Sequence, residues 1–234
     1  MIKVDQPSLS LCFRQGLRGS SDITGRFLSL SDRQLWDARY REGAYAERLW
    51  PSAYFRQCMP EITSQQTGAR ALDVACGRGR NSIYAAQQGY VVDGVDVSPA
   101  ALAQATQRAL RTGVTVNWCC QNVQDLGGVS AWRPRHEYDL IVMFRFVAPS
   151  LLPMLARHLV VGGQLLVEEH MQWSGPEKVS GPRNPSFRVA PSTLRLALLK
   201  SGVFLEIIEE FEGIVEEPDG SQAALSRILV QRQK

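Results

Sequence analysis

Residues 71–98 read ALDVACGRGRNSIYAAQQGYVVDGVDVS, and this stretch decides the fold. A short apolar run leads into a turn with Gly77 and Gly79, where a backbone without a Cβ can approach a ligand closely. A helical pattern follows and stops at Gly89, and a valine-rich strand then ends at Asp96. In an open α/β sheet, ligands bind at the carboxyl ends of the strands. An acid about 20 residues beyond a glycine turn has the spacing of one that binds a ribose.

The rest of the chain continues the alternation of strands and helices. Ser98 and Pro99 have the pattern of a helix start, with a hydroxyl cap followed by proline. Five further segments have strand patterns: residues 114–119, 138–144, 164–169, 203–211 and 225–231. The last two are joined by a short turn and must be antiparallel. We therefore predict an α/β fold, namely a Rossmann-like, doubly wound sheet of seven strands, mostly parallel with an antiparallel C-terminal strand, and helices on both faces.

The domain organisation follows from changes in pattern along the chain. Residues 1–30 are weakly patterned and are predicted to form an N-terminal arm. The domain spans residues 31–234 and begins with N-terminal helices within residues 31–66. Residues 171–189 are rich in Gly, Pro and Ser, and a loop of that length in a compact domain is usually functional. We predict that it is a substrate lid.

Composition excludes several classes of protein. The chain has 234 residues, a formal charge of +3, 44% hydrophobic and 21% charged residues, which are ordinary values for a globular protein. Its Lys and Arg residues are scattered, so no nucleic-acid partner is expected. No apolar run is long enough for a membrane span, and the N-terminus lacks the apolar core of a signal peptide. The five cysteines have neither metal nor disulfide spacing, so we expect no metal and a cytoplasmic location.

Three ligands compete for the glycine turn. A phosphate-binding P-loop needs Gly-Lys-Ser/Thr at the helix start, whereas Gly79 is followed by Arg80 and Asn81. A dinucleotide fold needs a third Gly or Ala three residues after Gly79, where this chain has Ser82. S-adenosylmethionine has no pyrophosphate, so it does not require that third glycine. It is therefore the favoured ligand.

The segment ALDVACGRGRNS resembles motif I of class I S-adenosylmethionine-dependent methyltransferases, commonly written D/E-x-G-x-G-x-G. More narrowly, CGRGRNS followed by GYVVDGVDVS is similar to the bacterial tellurite-resistance and thiopurine-type branch. The likeness continues through YDLIVMFRF, LLPMLARHLVVGGQLLVEE and GPRNPSFRVAPSTL, so it covers roughly residues 31–231. Two positions depart from the pattern. Ala75 replaces the first motif glycine, and Asn122 replaces the usual Asp.

The resemblance implies a set of residues that bind S-adenosylmethionine. These are Trp36, Tyr40, Asp73, Ala75, Gly77, Gly79, Asn81, Asp96, Val97, Asn122, Val123 and Phe144. Asp96 would hold both ribose hydroxyls, and Asp73 the amino group of the cofactor. Asn122 can accept from the adenine amino group, but it is also typical of an Asx turn. Trp36 and Tyr40 are as typical of hydrophobic packing as of cofactor contact.

Arg145 and His170 are the candidate catalytic residues, because each follows a strand at the end of the sheet where the acceptor should lie. Together with Arg183 and Arg188, Arg145 would suit an anionic or oxyanionic acceptor, although each arginine can equally be structural. An oxygen nucleophile would need a base, and His170 or Glu169 could serve.

The predicted function is transfer of a methyl group from S-adenosylmethionine to a small-molecule acceptor, with a thiol or a chalcogen oxyanion as candidates. Such nucleophiles need little base catalysis, so the main task of the protein is positioning. Two alternatives stay open. One is a methyltransferase that acts on a macromolecule. The other is a non-catalytic regulator that binds S-adenosylmethionine, and the departures from the motif at Ala75 and Asn122 are the reason to consider it.

Overall fold

The computed structural model of the protein describes residues 30–62, 68–125 and 131–234. Almost all of the predicted N-terminal arm lies outside these residues. Within them the α-helices are α1 (Leu30–Arg41), α2 (Ala53–Ile62), α3 (Arg80–Gln87), α4 (Pro99–Thr112), α5 (Leu152–Arg157) and α6 (Thr193–Leu198). The strands are β1 (Arg70–Val74), β2 (Val91–Asp96), β3 (Asn117–Cys120), β4 (Tyr138–Phe144), β5 (Leu159–His170), β6 (Leu205–Glu216) and β7 (Gln222–Arg232).

The seven strands form one sheet in the order β3-β2-β1-β4-β5-β7-β6. Strands β1 to β5 run parallel, and β7 is antiparallel to both of its neighbours, β5 and β6. The strand order reverses between β1 and β4, and the carboxyl ends of strands at such a switch point form the ligand-binding crevice of this kind of sheet. The predicted fold is confirmed.

Several element boundaries differ from those predicted. Helix α1 begins at Leu30, one residue before the predicted start of the domain at residue 31. Helix α5 ends at Arg157, and β5 begins at Leu159, five residues before the strand start predicted at residue 164. The cause is tertiary, because β4 recruits this segment into the sheet beside the start of its own strand.

The start of α4 is as predicted. The Ser98 side chain accepts a hydrogen bond of 3.1 Å from the Ala101 amide, and Pro99 occupies the first turn. The helix ends at Gly113 with a φ of 70°, a left-handed conformation that glycine adopts without a steric cost. Only two residues separate Asp96 from this helix, so the start of α4 lies beside the end of β2.

Both faces of the sheet are covered. One core cluster joins β1, β4 and β5 to α5 and α6 and includes Leu72, Ile141 and Leu165. The other lies against α2 and α3 and includes Phe55 and Leu140. In the described part of the chain, no helix has the length and apolar character that crossing a bilayer requires.

Candidate active site

The acid at the end of β2 is joined directly to the glycine turn after β1. The buried carboxylate of Asp96 accepts a 2.8 Å hydrogen bond from the Gly77 amide through Oδ2 and a 2.9 Å bond from the Ser98 amide through Oδ1. Burial raises the pKa of the Asp96 carboxyl, and these amide donors act in the opposite direction. Each carboxylate oxygen keeps a second lone pair, so Asp96 can still accept from a diol.

The two motif glycines have different structural roles. At Gly77, whose φ is 55°, an added Cβ would lie 2.6 Å from the Tyr40 hydroxyl, so this glycine lets the Tyr40 side chain approach the turn. At Gly79 an added Cβ would lie 2.5 Å from the Trp118 ring, so this glycine is required by packing of the turn against β3. Gly77 is therefore the position where α1 comes closest to the turn through Tyr40.

Helix α1 is anchored over this turn by a buried acid. Asp37 Oδ1 accepts hydrogen bonds from the Ser98 hydroxyl at 2.9 Å and from the Ala100 amide at 2.8 Å, at the N-terminus of α4 where a carboxylate is favoured. The Gln104 side chain also donates to the Tyr40 carbonyl at 3.1 Å. These contacts place the Tyr40 ring beside Gly77, with Trp36 next to it at a ring-centroid distance of 6.3 Å. Burial, followed by the charge of Asp96, raises the pKa of Tyr40.

Ala75, which replaces the first motif glycine, keeps the backbone conformation that a glycine would take. Its φ is 56°, in the left-handed region that costs an L-residue roughly 1–2 kcal/mol. The turn geometry is therefore preserved in spite of the substitution, at the expense of local strain.

Ala75→Gly is expected to raise the free energy of unfolding by about 0.5–1 kcal/mol, because relief of strain exceeds the entropy that glycine adds to the unfolded chain. Ala103→Gly is the matched control. Ala103 is exposed within α4, so the same substitution there should lower stability by about 1 kcal/mol. Urea unfolding measures both variants, and a loss of stability at both positions would contradict the role assigned to strain at Ala75.

Two of the predicted cofactor residues near the turn, Asp73 and Asn81, make hydrogen bonds within the protein. Asp73 is buried and accepts a 2.6 Å hydrogen bond from the Ser82 hydroxyl, and burial raises its pKa to about 7. The Asn81 side chain accepts a 2.9 Å hydrogen bond from the Ser52 amide and thereby ties α3 to the start of α2. Asn81 thus has a structural role that the sequence pattern does not reveal.

The remaining predicted contacts lie on both sides of the strand ends. Asn122 Oδ1 accepts a 3.0 Å hydrogen bond from the Gln124 amide, which is an Asx turn. Val123 is buried in the core cluster of α5 and α6, and Val97 is half-buried. Phe144 packs against Phe55 with ring centroids 5.9 Å apart. Whether these side chains bind a cofactor stays a prediction.

A cavity of about 200 Å³ lies beside the ends of β4 and β5. Its walls come from the connection before α2, the start of α3 and the tip of the β6–β7 hairpin. The residues that line it include Arg48, Trp50, Tyr54, Arg80, Arg145, Glu168, Glu217 and Arg227. Of the two predicted catalytic residues, Arg145 lines this cavity and His170 stands beside Arg145.

Arg145 is fully occupied by ion pairs and hydrogen bonds. Its Nε lies 3.1 Å from Glu168 Oε1, its Nη2 2.6 Å from Glu217 Oε1, and its Nη1 3.0 Å from His170 Nε2. Glu168 also accepts from Arg227 Nε at 2.7 Å. Two arginines are thus balanced by two carboxylates. Arg145 has a φ of 59°, so this network is combined with a strained backbone at the end of β4.

His170 is held as a neutral, weak base. Burial lowers its pKa to about 3, and the nearby positive charges of Arg145, Arg188 and Arg48 act in the same direction. The other proposed base, Glu169, is buried with Oε1 accepting from the Phe146 amide at 2.9 Å, and it does not line the cavity. Burial raises its pKa well above the usual range. Neither residue is well placed to remove a proton from an acceptor in the cavity.

Between pH 6.5 and about 3 the unfolded chain binds a proton at His170 that the folded protein does not bind, so stability falls as the pH falls through this range. His170→Gln is expected to remove up to about 1.4 kcal/mol of this dependence per pH unit. Asp73→Asn should act in the opposite direction, because the raised pKa of Asp73 makes stability fall as the pH rises towards 7. Urea unfolding at several pH values between 5 and 6.5 measures both, and equal slopes in all three proteins would contradict these assignments.

Arg188 binds main-chain groups of the long loop, residues 171–189. The guanidinium of Arg188 donates to the carbonyls of Met171, Ser180 and Pro182, each at 2.9 Å. Arg183 is exposed. The three arginines thus have different surroundings in this structure, and their convergence on one acceptor stays a prediction.

Sequence reasoning missed much of the cavity wall. Trp50 and Tyr54 come from the α1–α2 region, Glu217 comes from the hairpin, and Arg227 comes from β7. These residues carry no motif. Only Arg80 lies inside the glycine motif. Its position at the first residue of α3 could have predicted that it lies near the ligand.

Comparison with known proteins agrees with this geometry. Residues 71–163, from the glycine motif to the start of β5, match the family model described as a methyltransferase domain. The ubiquinone biosynthesis O-methyltransferase of Xanthomonas axonopodis pv. citri (strain 306) is 37% identical over 180 residues, 69% of this chain and 72% of that protein. A protein of Geobacillus sp. (strain WCH70) with a methyltransferase name is 38% identical over 80 residues, which are 34% of this chain and only 30% of that protein.

Among solved structures, TehB from Haemophilus influenzae has the same fold, with a TM-score of 0.60 and 20% identity over 83% of this chain and 67% of TehB. Three observations indicate the same family. They are the sheet order, the hydrogen bond between Asp96 and the glycine turn, and the match to the Xanthomonas enzyme over most of both chains. The chain belongs to the class I S-adenosylmethionine-dependent methyltransferases.

Proposed function

We propose that this protein transfers a methyl group from S-adenosylmethionine to a small-molecule acceptor bound in the cavity at the ends of β4 and β5. The observation that carries the proposal is the adjacency of two sites. The glycine turn with Asp96 forms one, and the cavity bordered by Arg80 and Arg145 forms the other. Arg80 directly follows Gly79 of the glycine turn and is part of the cavity wall, so the two sites adjoin. This arrangement suits a donor and an acceptor that react directly.

The residues at the turn fit S-adenosylmethionine. Asp96 offers two buried carboxylate oxygens to a ribose, and the backbone at Gly77 carries no Cβ between the turn and the Tyr40 side chain. When bound, the cofactor supplies an electrophilic methyl group. Asp73, Asp96 and Val97 would then orient it, while Trp36 and Tyr40 on α1 would exclude water from the same side.

The cavity supports a small acceptor. Its volume of about 200 Å³ is below the range of roughly 300–1,000 Å³ found for drug-sized ligands. The long loop packs against this end of the sheet, because a Cβ at Gly181 would lie 2.5 Å from the His170 ring. We propose that residues 171–189 are the substrate lid, while the connection before α2, with Trp50, closes the opposite side.

The side chains around the cavity favour an acceptor that needs no strong base. The Xanthomonas relative is named for O-methylation, and a hydroxyl acceptor would need a group to take its proton. His170 has a depressed pKa, and Glu168 and Glu217 are bound to Arg145. A thiolate or a chalcogen oxyanion needs no such step, so we propose these classes ahead of phenols.

Calorimetry followed by a transfer assay tests the proposal. S-adenosylmethionine and S-adenosylhomocysteine are titrated first, and methyl transfer from labelled cofactor is then measured with a thiol, selenite, tellurite and a phenol. We expect binding of both cofactor forms and transfer to a thiol or an oxyanion. Absence of cofactor binding would refute the proposal, and binding without transfer to any acceptor would favour the regulator.

A location in the cytoplasm is also proposed. The four cysteines within the described residues are free thiols, which suits a reducing compartment. A macromolecular acceptor is the second candidate for the enzyme, and it has less support because the cavity is small and its wall contains five carboxylates against four arginines.

A further inference from the structure

Arg80 differs from the other half-buried arginines of the cavity, because no hydrogen-bond or ion-pair partner of its side chain lies within the described residues. Arg145 and Arg227 both bind Glu168, and Arg145 also binds Glu217. The guanidinium of Arg80 makes no hydrogen bond or ion pair with any residue in the part of the chain that the structure describes. It nevertheless forms part of the cavity wall.

No carboxylate makes an ion pair with Arg80 within the described residues. Burial and the positive charge of Arg145 lower the pKa of Arg80, and the negative charges of Glu168 and Asp73 act in the opposite direction without contacting it. Glu168 already binds two arginines, and Glu217 is taken by Arg145. A half-buried guanidinium without such a contact is stabilised by a planar anion that accepts two parallel hydrogen bonds.

The position of Arg80 connects the two halves of the proposed active site. It is the first residue of α3, directly after Gly79, and it is also a wall residue of the cavity. Asp96 and Gly77 are not part of that wall. A group bound by Arg80 therefore lies between the glycine turn and the acceptor space.

We propose that Arg80 binds an oxyanionic group, a carboxylate or an inorganic oxyanion, of a ligand in this cavity. This inference rests on the proposed function, and it assigns to Arg80 the recognition of negative charge on the ligand. The group has two sources, namely the carboxylate on the amino-acid part of the cofactor and an anionic acceptor. Arg145, which the sequence pattern favoured for this role, is neutralised by Glu168 and Glu217.

The test compares wild type with Arg80→Gln, which keeps a polar side chain and removes the charge. Arg56→Gln is the matched control, because Arg56 is exposed on α2 and does not line the cavity. Calorimetry measures S-adenosylhomocysteine and 5′-methylthioadenosine, which lacks the amino-acid carboxylate. Thermal unfolding with S-adenosylhomocysteine present then measures stabilisation by sodium selenite against sodium chloride of equal ionic strength.

If the cofactor is the source, Arg80→Gln binds S-adenosylhomocysteine about tenfold to a hundredfold more weakly and 5′-methylthioadenosine as well as wild type does. If the acceptor is the source, the affinity for S-adenosylhomocysteine is unchanged and the stabilisation by selenite is lost. Both results support the proposal. An Arg80→Gln protein that matches wild type and Arg56→Gln in both measurements overturns it.

Arg80→Lys covers the case in which Arg80→Gln does not fold. Lysine keeps the charge but cannot form two parallel hydrogen bonds. Whichever of the two quantities depends on Arg80, the affinity for S-adenosylhomocysteine or the stabilisation by selenite, should therefore be reduced only in part. An unchanged result with Arg80→Lys together with an unfolded Arg80→Gln assigns Arg80 a structural role and overturns the proposal. If wild type itself does not bind S-adenosylhomocysteine, the proposed function fails, and this outcome is separate from any effect of Arg80.

Discussion

Asp96→Ala is expected to weaken the binding of S-adenosylhomocysteine by about tenfold to a hundredfold. Hydrogen bonds to a charged group contribute roughly 1.5–3 kcal/mol, and the carboxylate of Asp96 has lone pairs left after it accepts from the Gly77 and Ser98 amides. The variant also releases the Gly77 amide, so the turn loses its link to β2. Isothermal titration calorimetry measures the loss directly.

A carboxylate three residues earlier on the same strand is the control for Asp96. Asp93 accepts from the Asn117 side chain at 2.9 Å and from the Tyr138 hydroxyl at 2.7 Å, away from the glycine turn. Asp93→Ala should lower stability and leave the affinity for S-adenosylhomocysteine unchanged. Equal affinities in wild type and Asp96→Ala would show that Asp96 only orients the turn.

Glu168→Ala is expected to lower the free energy of unfolding by about 3–5 kcal/mol, which is the usual loss when one partner of a buried ion pair is removed. Glu168 is 1% exposed and binds both Arg145 and Arg227, so its removal leaves two arginines with fewer partners in the interior. It also accepts a 3.4 Å hydrogen bond from the Ser52 hydroxyl. Urea unfolding monitored by circular dichroism gives the change.

Glu210→Ala is the matched control for this ion pair. Glu210 pairs with Arg195 at the surface, where exposed charges contribute little to stability. We expect no measurable change in the unfolding midpoint of this variant. A loss below about 1 kcal/mol in Glu168→Ala would mean that the Arg145 network behaves like a surface pair.

Much of the fold could be predicted because its signals are local. The glycine turn, the Ser98 cap and the apolar run of β4 each depend on residues close together in the sequence. The antiparallel hairpin followed from a short turn alone. The end of α5 could not be predicted, because the segment that follows it is drawn into the sheet beside β4 by pairing of Tyr138 with Leu159.

The candidate site was less accessible from the sequence, because the state of a charged side chain depends on distant partners. Arg145 binds Glu168, 23 residues away, and Glu217, 72 residues away. No spacing rule indicates which arginine will be neutralised in this way and which will stay without a partner. Arg80 lies within the motif that decided the fold, yet its importance depends on the walls that β6, β7 and the α1–α2 connection supply.

The long loop over the sheet is braced from within by one side chain, since Arg188 binds three main-chain carbonyls of that loop. Main-chain carbonyls are the same whatever residue bears them. The path of the loop at Met171, Ser180 and Pro182 therefore depends on Arg188 and not on the side chains of those three residues. Substitutions at exposed loop positions that make no side-chain contact are expected to change the surface of the loop more than its path.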